Sequence, residues 1–325
     1  MKEITCFLAG IAVLLAGCGA KASVGASDGS SVESVSEEAT ENVSFSADSA
    51  YMYVSRQVEF GPRVPNTQAH RQAGEWLASK LESYGAKVIS QTPTLTAFDG
   101  TKLQTRNIFG QFNPEASERI LLLAHWDCRP WADQDPDPAK RKMPVDGAND
   151  GASGVGVLLE IARQLAAQAP SKGVDILFTD AEDWGTDGNE ESWAMGTRYF
   201  AENPPVSGYA PREAILLDMV GGENPRFPKE YFSEKSAPGL NGALWSIASE
   251  KGYASMFPER VESAVTDDHI QLIEAGIPTV DIIEYHPQSG FNSRWHTTSD
   301  NMEGISKETL GAVGNILMTY LRRNY

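Results

Sequence analysis

The chain has 325 residues, with 44 acidic side chains against 27 basic ones, a formal charge of −17. That balance opposes nucleic-acid binding, and no basic stripe interrupts it. Cys6 and Cys18 fall at the front of the chain, so only Cys128 remains for the folded part and a disulfide framework is excluded.

Residues 1–18, MKEITCFLAGIAVLLAGC, carry a lysine near the start, an apolar run too short to span a bilayer, and small residues before Cys18. This is the pattern of a secretory signal. Leu15-Ala16-Gly17-Cys18 resembles a bacterial lipoprotein processing box, which implies cleavage before Cys18 and a lipid on that residue. The expected location is the cell envelope, with a membrane anchor and the protein facing the periplasm or exposed at the surface. Residues 19–48 are Ser, Ala, Gly and Glu with few large apolar side chains, and read as a flexible acidic tether. Residues 49–325 are long enough for one large domain with its own core.

Within that domain, Ala73, Trp76, Leu77, Leu81 and Tyr84 recur near helical spacing, and Gly85 follows as a stop, so 67–84 reads as an amphipathic helix. His70 on it reads as a surface residue. Segments 87–95 and 103–112 suggest a strand pair with Asp99-Gly100 as turn chemistry. Strands and helices then alternate: a strand at 120–124, a helix from Gly151, a strand at 174–179, a helix near 192–201 and a strand at 214–219. Helices at 240–251 and 267–275, a strand at 279–284 and a last helix at 307–322 complete the pattern. Ile120-Leu121-Leu122-Leu123 and Ile215-Leu216-Leu217 are apolar on both faces, as in a sheet covered on both sides. The expected fold is α/β, a three-layer sandwich whose mixed central sheet is mostly parallel with an antiparallel edge.

Parallel strands bring their carboxyl ends together, and here those ends carry chemistry. The first supplies His125 and Asp127, with Asp150 at the next helix start; the second supplies Asp180, Glu182 and Asp183; the third, Asp218. The segment after the last strand reaches Trp295-His296-Thr297, and Thr266-Asp267-Asp268-His269 opens a helix. Two imidazoles among carboxylates suit zinc. Glu182 and Asp183 lie on irregular chain, where neighbouring side chains diverge, so one can hold metal while the other moves a proton.

Taken together, His125-x-Asp127, the run Gly147 to Gly154, Asp180-Ala181-Glu182-Asp183, Asp218 and Trp295-His296-Thr297 resemble the zinc aminopeptidase fold. Thr266 to His269 and the stretch His125 to Ala132 make the chain similar to the glutaminyl cyclases of bacterial type. The resemblance runs from about residue 50 to the end. It implies one zinc per chain on Asp150, Asp183 and His296, with Glu182 as proton shuttle. It further implies that Asp218 and Asp267 are the active-site aspartates, and that Phe291 and Trp295 are pocket aromatics, with Trp193 or Trp184 as a further wall. Asp183 stands where animal cyclases have Glu, and Thr266 where they have Gln. The implied reaction converts N-terminal Gln of peptides or proteins to pyroglutamate with loss of ammonia. The rival is a two-zinc aminopeptidase, in which His125 and Asp218 join Asp150, Asp183 and His296 as ligands. A catalytically silent peptide binder is opposed by the intact Glu182.

Overall fold

Among the residues that the computed structural model describes, 44–325, the chain runs α1 (Ala47–Val58), α2 (Gln68–Ser83), β1 (Lys87–Gln91), β2 (Thr94–Thr96), β3 (Lys102–Gln104), β4 (Asn107–Phe112) and β5 (Arg119–His125). It continues through α3 (Ala152–Ala167), β6 (Gly173–Thr179), α4 (Met195–Glu202), β7 (Glu213–Asp218), β8 (Lys229–Glu230), α5 (Tyr231–Ser236) and α6 (Pro238–Glu250). β9 (Val261–Ser263), α7 (Asp268–Glu274), β10 (Thr279–Ile283) and α8 (Lys307–Asn324) complete it. The signal segment, Cys18 and the tether as far as residue 43 lie outside the described residues.

The main sheet has the order β1-β4-β6-β5-β7-β10. β6, β5, β7 and β10 are parallel, and β4 is antiparallel to both β1 and β6, which makes the expected mixed sheet. Alternation along β5 shows how it is covered. Ile120, Leu122 and Ala124 enter a core shared with α1, α3, α6 and α8, whereas Leu121 and Leu123 enter the opposite core with Phe200 of α4 and Leu272 of α7. Every residue of β5, β6 and β7 is buried. Helix, sheet and helix are thus the three layers. The Asp99-Gly100 turn does join two strands, but these are β2 and β3, a separate small ribbon; β1 pairs with β4 instead.

Two expectations give way. The expected tether extends to residue 48, yet Phe45 is buried, Ser46 caps α1 by accepting a hydrogen bond from the Ser49 N–H, and the helix begins at Ala47. Its buried side is Ala50, Val54 and Gln57. Gln57 donates to the carbonyl of Ala152, which ties α1 to the first turn of α3. His70, read as a surface residue, is buried, with Nε2 2.8 Å from Asp180 Oδ2 and its ring stacked on Trp126 at 4.3 Å.

α3 starts two residues after Asp150, so its seating on the sheet decides where that acid stands. Gly154 makes close seating possible: a Cβ there would lie 2.3 Å from the Leu217 carbonyl oxygen and 2.8 Å from Ala124 Cβ. Backbone cannot yield as a flexible side chain does, so Gly154→Ala is expected to cost roughly 1–3 kcal/mol as overpacking. Thermal unfolding should show a midpoint lower by several degrees. Gly242→Ala in α6, where a Cβ meets nothing within 4 Å, is the control and should leave the midpoint unchanged or raise it.

Candidate active site

The four parallel strands end on one edge of the sheet, and the loops beyond them carry the chemical side chains. β5 ends at His125, and Asp127 two residues on uses both carboxylate oxygens to accept the backbone N–H groups of Glu182 and Asp183, each at 3.2 Å. This grip fixes the turn after β6, where Ala181 takes a left-handed φ of 53°. Met219, directly after Asp218, and His296 itself also sit in left-handed backbone, φ 49° and 53°. Strain of this kind gathers where side-chain direction matters more than backbone comfort.

Asp150 is presented by the Gly147 to Gly151 loop. The carboxylate of Asp300 accepts the N–H groups of Asn149 and Asp150 at 2.8 and 3.1 Å. Buried Arg63 donates to the carbonyls of Asp146 and Gly147 at 2.6 Å each. Gly151 has φ +98°, and a Cβ on it would lie 2.4 Å from the Asp127 carbonyl oxygen, so glycine is required there on both counts. Burial first, then the nearby Asp150 carboxylate, push the Asp300 carboxyl up to about 7.

Asp150, Asp183 and His296 converge, each offering one ligand atom within 4.8 Å of the others. His296 Nε2 stands 3.1 Å from Asp183 Oδ1 and 3.6 Å from Asp150 Oδ2. Neither buried oxygen of Asp183 makes a hydrogen bond. Burial and the Asp150 charge drive the Asp183 carboxyl up to about 6, against the pull of His296 and Arg129. Two buried acids facing one imidazole, one of them with no hydrogen-bond donor on either oxygen, form a donor set that fits a zinc ion. His125 Nε2 contacts Asp150 Oδ1 at 3.0 Å and Asp218 Oδ1 at 3.2 Å, a second group of metal-ligating type that shares Asp150.

Glu182 stands outside the Asp150, Asp183 and His296 group and, with it and with Asp218 and Asp267, lines a cavity of about 380 Å³. Burial lifts the Glu182 carboxyl well above the usual range, opposed by His125 and reinforced by Asp267 and Asp183. Asp267 caps α7, accepting the Asp268 N–H through Oδ1, and its buried Oδ2 makes no hydrogen bond. Trp193, Phe291 and Trp295 line the same cavity, together with Thr266, Val265, Tyr285 and Ile283. Trp295 stacks on the His296 ring at 3.8 Å and meets Phe291 at 4.8 Å, and Trp193 lies nearly parallel to His296 at 6.1 Å.

The structure therefore brings Asp150, Glu182, Asp183, Asp218, Asp267, His296, Trp193, Phe291 and Trp295 to one cavity, with His125 just behind. Of the two tryptophans offered as a further wall, Trp193 lines the cavity, while Trp184 is not among its lining residues and packs edge-on against Trp131 at 5.7 Å. Asp180 and His269 carry motif positions but face elsewhere: Asp180 turns back to His70, and His269 lies between Glu230 at 3.2 Å and Asp281 at 3.6 Å. Asp300, Arg63, Arg129 and Asp133 were not singled out. Their signal is weak in sequence because each acts on backbone or on a partner far along the chain.

A crevice at the carboxyl ends of a mostly parallel sheet, with a zinc-type ligand set and a separate acid beside it, defines the class of zinc-dependent exopeptidase-like proteins. Residues 107–321 match the sequence model of peptidase family M28. The chain belongs to that family. A glutaminyl cyclase from Bacteroides thetaiotaomicron, solved with N-acetylhistamine bound, is similar at 50% identity and TM-score 0.85, over 87% of this chain and 99% of that one. A Zn-dependent exopeptidase from Parabacteroides distasonis shares 52% identity at TM-score 0.84, over 86% and 98% of the two chains. The glutaminyl-peptide cyclotransferase of Gloydius blomhoffii is 27% identical over 297 residues, 81% of this chain and 77% of that protein.

Proposed function

We propose that this chain is a glutaminyl-peptide cyclotransferase, closing the N-terminal Gln of peptides or proteins to pyroglutamate with release of ammonia. The observation that carries the reading is the split at 182–183 within one aromatic-lined cavity, where Asp183 joins Asp150 and His296 as a ligand group while its neighbour Glu182 stays outside that group beside Asp218 and Asp267. Similarity to solved bacterial glutaminyl cyclases supports it.

Asp150, Asp183 and His296 would hold one zinc, which when bound supplies a Lewis acid for the γ-carboxamide. Glu182 takes a proton from the α-amine as that nitrogen bonds to the side-chain carboxamide carbon, Cδ. It returns the proton to the departing amide nitrogen as the carbon–nitrogen bond breaks, so ammonia leaves and Glu182 is regenerated. A carboxyl whose affinity for protons is raised by burial serves both steps. Asp218 and Asp267 give the cationic amine acidic partners before it is deprotonated. Trp193, Phe291 and Trp295 enclose the short Gln side chain and hold the bent conformer in which amine and carboxamide meet.

His125 Nε2 lies within contact of both Asp150 and Asp218, a second group of metal-ligating type, so the number of zinc ions that turnover needs separates the cyclase reading, with one, from the aminopeptidase reading, with two. Metal analysis of the purified chain, with turnover followed as zinc is added back, tests this. Full Gln-peptide cyclisation at one zinc per chain is expected. A rate that requires a second equivalent would favour the two-zinc aminopeptidase.

The Leu15 to Cys18 box supports a further part of the reading, a lipid on Cys18 that anchors the enzyme in the cell envelope. Wild-type chain should take up labelled fatty acid and sediment with membranes, and Cys18→Ala should do neither. An unlabelled wild-type chain that stays out of the membrane fraction would contradict it.

A further inference from the structure

Arg129 and Asp133 lie beside the ligand set and have no part in the proton transfers above. Arg129 is 2% exposed and donates from all three guanidinium nitrogens. Nε and Nη2 donate to the two oxygens of Asp133 at 3.3 and 2.6 Å. Nη1 donates to the carbonyls of Asp183 and Gly185, both at 2.9 Å. The guanidinium carbon lies over two indoles, 4.9 Å from the Trp131 ring centre and 4.8 Å from that of Trp193. Asp133 Oδ1 in turn stands 3.3 Å from His296 Nδ1. Next along the chain, the Gln134 N–H donates to the His296 carbonyl at 3.1 Å. The five-residue stretch from Arg129 to Asp133 thus touches both Asp183 and His296, which are 113 positions apart in sequence.

We propose that Arg129 and Asp133 form a positioning pair that fixes His296 and Asp183 as zinc ligands. The inference rests on the zinc reading given above and adds to it a device that sets ligand geometry. Asp133 engages Nδ1, which assigns the ring proton there and leaves Nε2, the nitrogen facing Asp150 and Asp183, free to bind metal. Arg129 holds Asp133 in that orientation and pins the Asp183 loop through two carbonyls. Its planar fork meets a carboxylate on one side and backbone on the other, a task that the single ammonium of lysine does not reproduce. Contacts with the Trp131 and Trp193 rings further restrict the guanidinium. Neither residue touches the reacting atoms, so both act through the ligands.

Zinc affinity reads this directly, without reference to turnover. Dissociation constants would be measured by chelator competition for the purified wild type, Asp133→Asn, Arg129→Lys and the double variant, with thermal unfolding of each zinc-free protein alongside. Each single change is expected to weaken zinc binding about 10–100-fold, the usual effect of losing an outer partner of a ligating histidine. The double variant should lose no more than the worse single one, since the pair acts as one unit. Zinc-free midpoints should stay close to wild type; if Arg129→Lys fails to fold, Asp133→Asn, which changes no shape, decides alone. Zinc affinity within threefold of wild type for Asp133→Asn overturns the proposal, and so do strictly multiplicative losses in the double variant. Absence of tight zinc binding in the wild type itself, or its survival in Asp183→Ala, would remove the metal reading and the proposal with it. That result is distinct from an unaffected Asp133→Asn.

Discussion

Glu182→Gln is expected to abolish most cyclisation while leaving zinc content at the wild-type level. Gln keeps the size of the side chain and removes the proton acceptor, so turnover should fall by about a hundredfold or more. The separation of effects follows from geometry: Glu182 lines the cavity with Asp218 and Asp267 but is not a member of the Asp150, Asp183 and His296 ligand group in the same cavity. The N–H of residue 182 is still held by Asp127, so the turn that presents Asp183 has no reason to move. Cyclisation rate and zinc occupancy measured on one preparation decide the point. Near-normal turnover in a fully metallated variant would move the proton shuttle elsewhere, with Asp267, whose Oδ2 is buried and unpartnered, as the next candidate.

Asp183→Ala should do the opposite and remove zinc and activity together. As a direct ligand, its loss should cost more than the ~100-fold attached to an outer partner. The zinc-free protein supplies a second, less intuitive readout. Burial and Asp150 raise the Asp183 carboxyl to about 6, above its ordinary value near 4, so between those limits the folded state binds the extra proton. Stability from this group is therefore lost as pH rises from about 4 to 6, and at neutral pH the ionised side chain is a net burden without metal. Zinc-free Asp183→Asn should then unfold at a higher temperature than zinc-free wild type at pH 7, and the order should reverse when zinc is added. A zinc-free variant less stable than wild type would show that Asp183 has a structural role in the absence of metal.

Much of this site was legible because its residues sit at strand ends. β5, β6 and β7 are buried on both faces, so their apolar runs stand out, and where each run stops, at His125, Asp180 and Asp218, the chain enters the crevice. Separate roles for Glu182 and Asp183 are expected because adjacent side chains on irregular backbone diverge, and Asp183 but not Glu182 belongs to the ligand group. Helix α1 was harder to see. Its buried side is Ala50, Val54 and Gln57, two small side chains and an amide, and it follows a Ser-rich segment. His70 looked like a surface residue because the acid that holds it, Asp180, is 110 positions away. Arg129 was part of the quoted His125 to Ala132 stretch, but its purpose depends on contacts with Asp183, Gly185 and Asp133 together. Sequence spacing shows only the last of these.

Mass analysis of a Gln-peptide after incubation with the zinc-loaded enzyme tests the central claim most directly, since the two chemistries open to this fold leave different products. The account predicts a peptide that keeps every residue, has lost one ammonia and no longer has a reactive α-amine. A peptide shortened by its first residue, with free glutamine released, would contradict it.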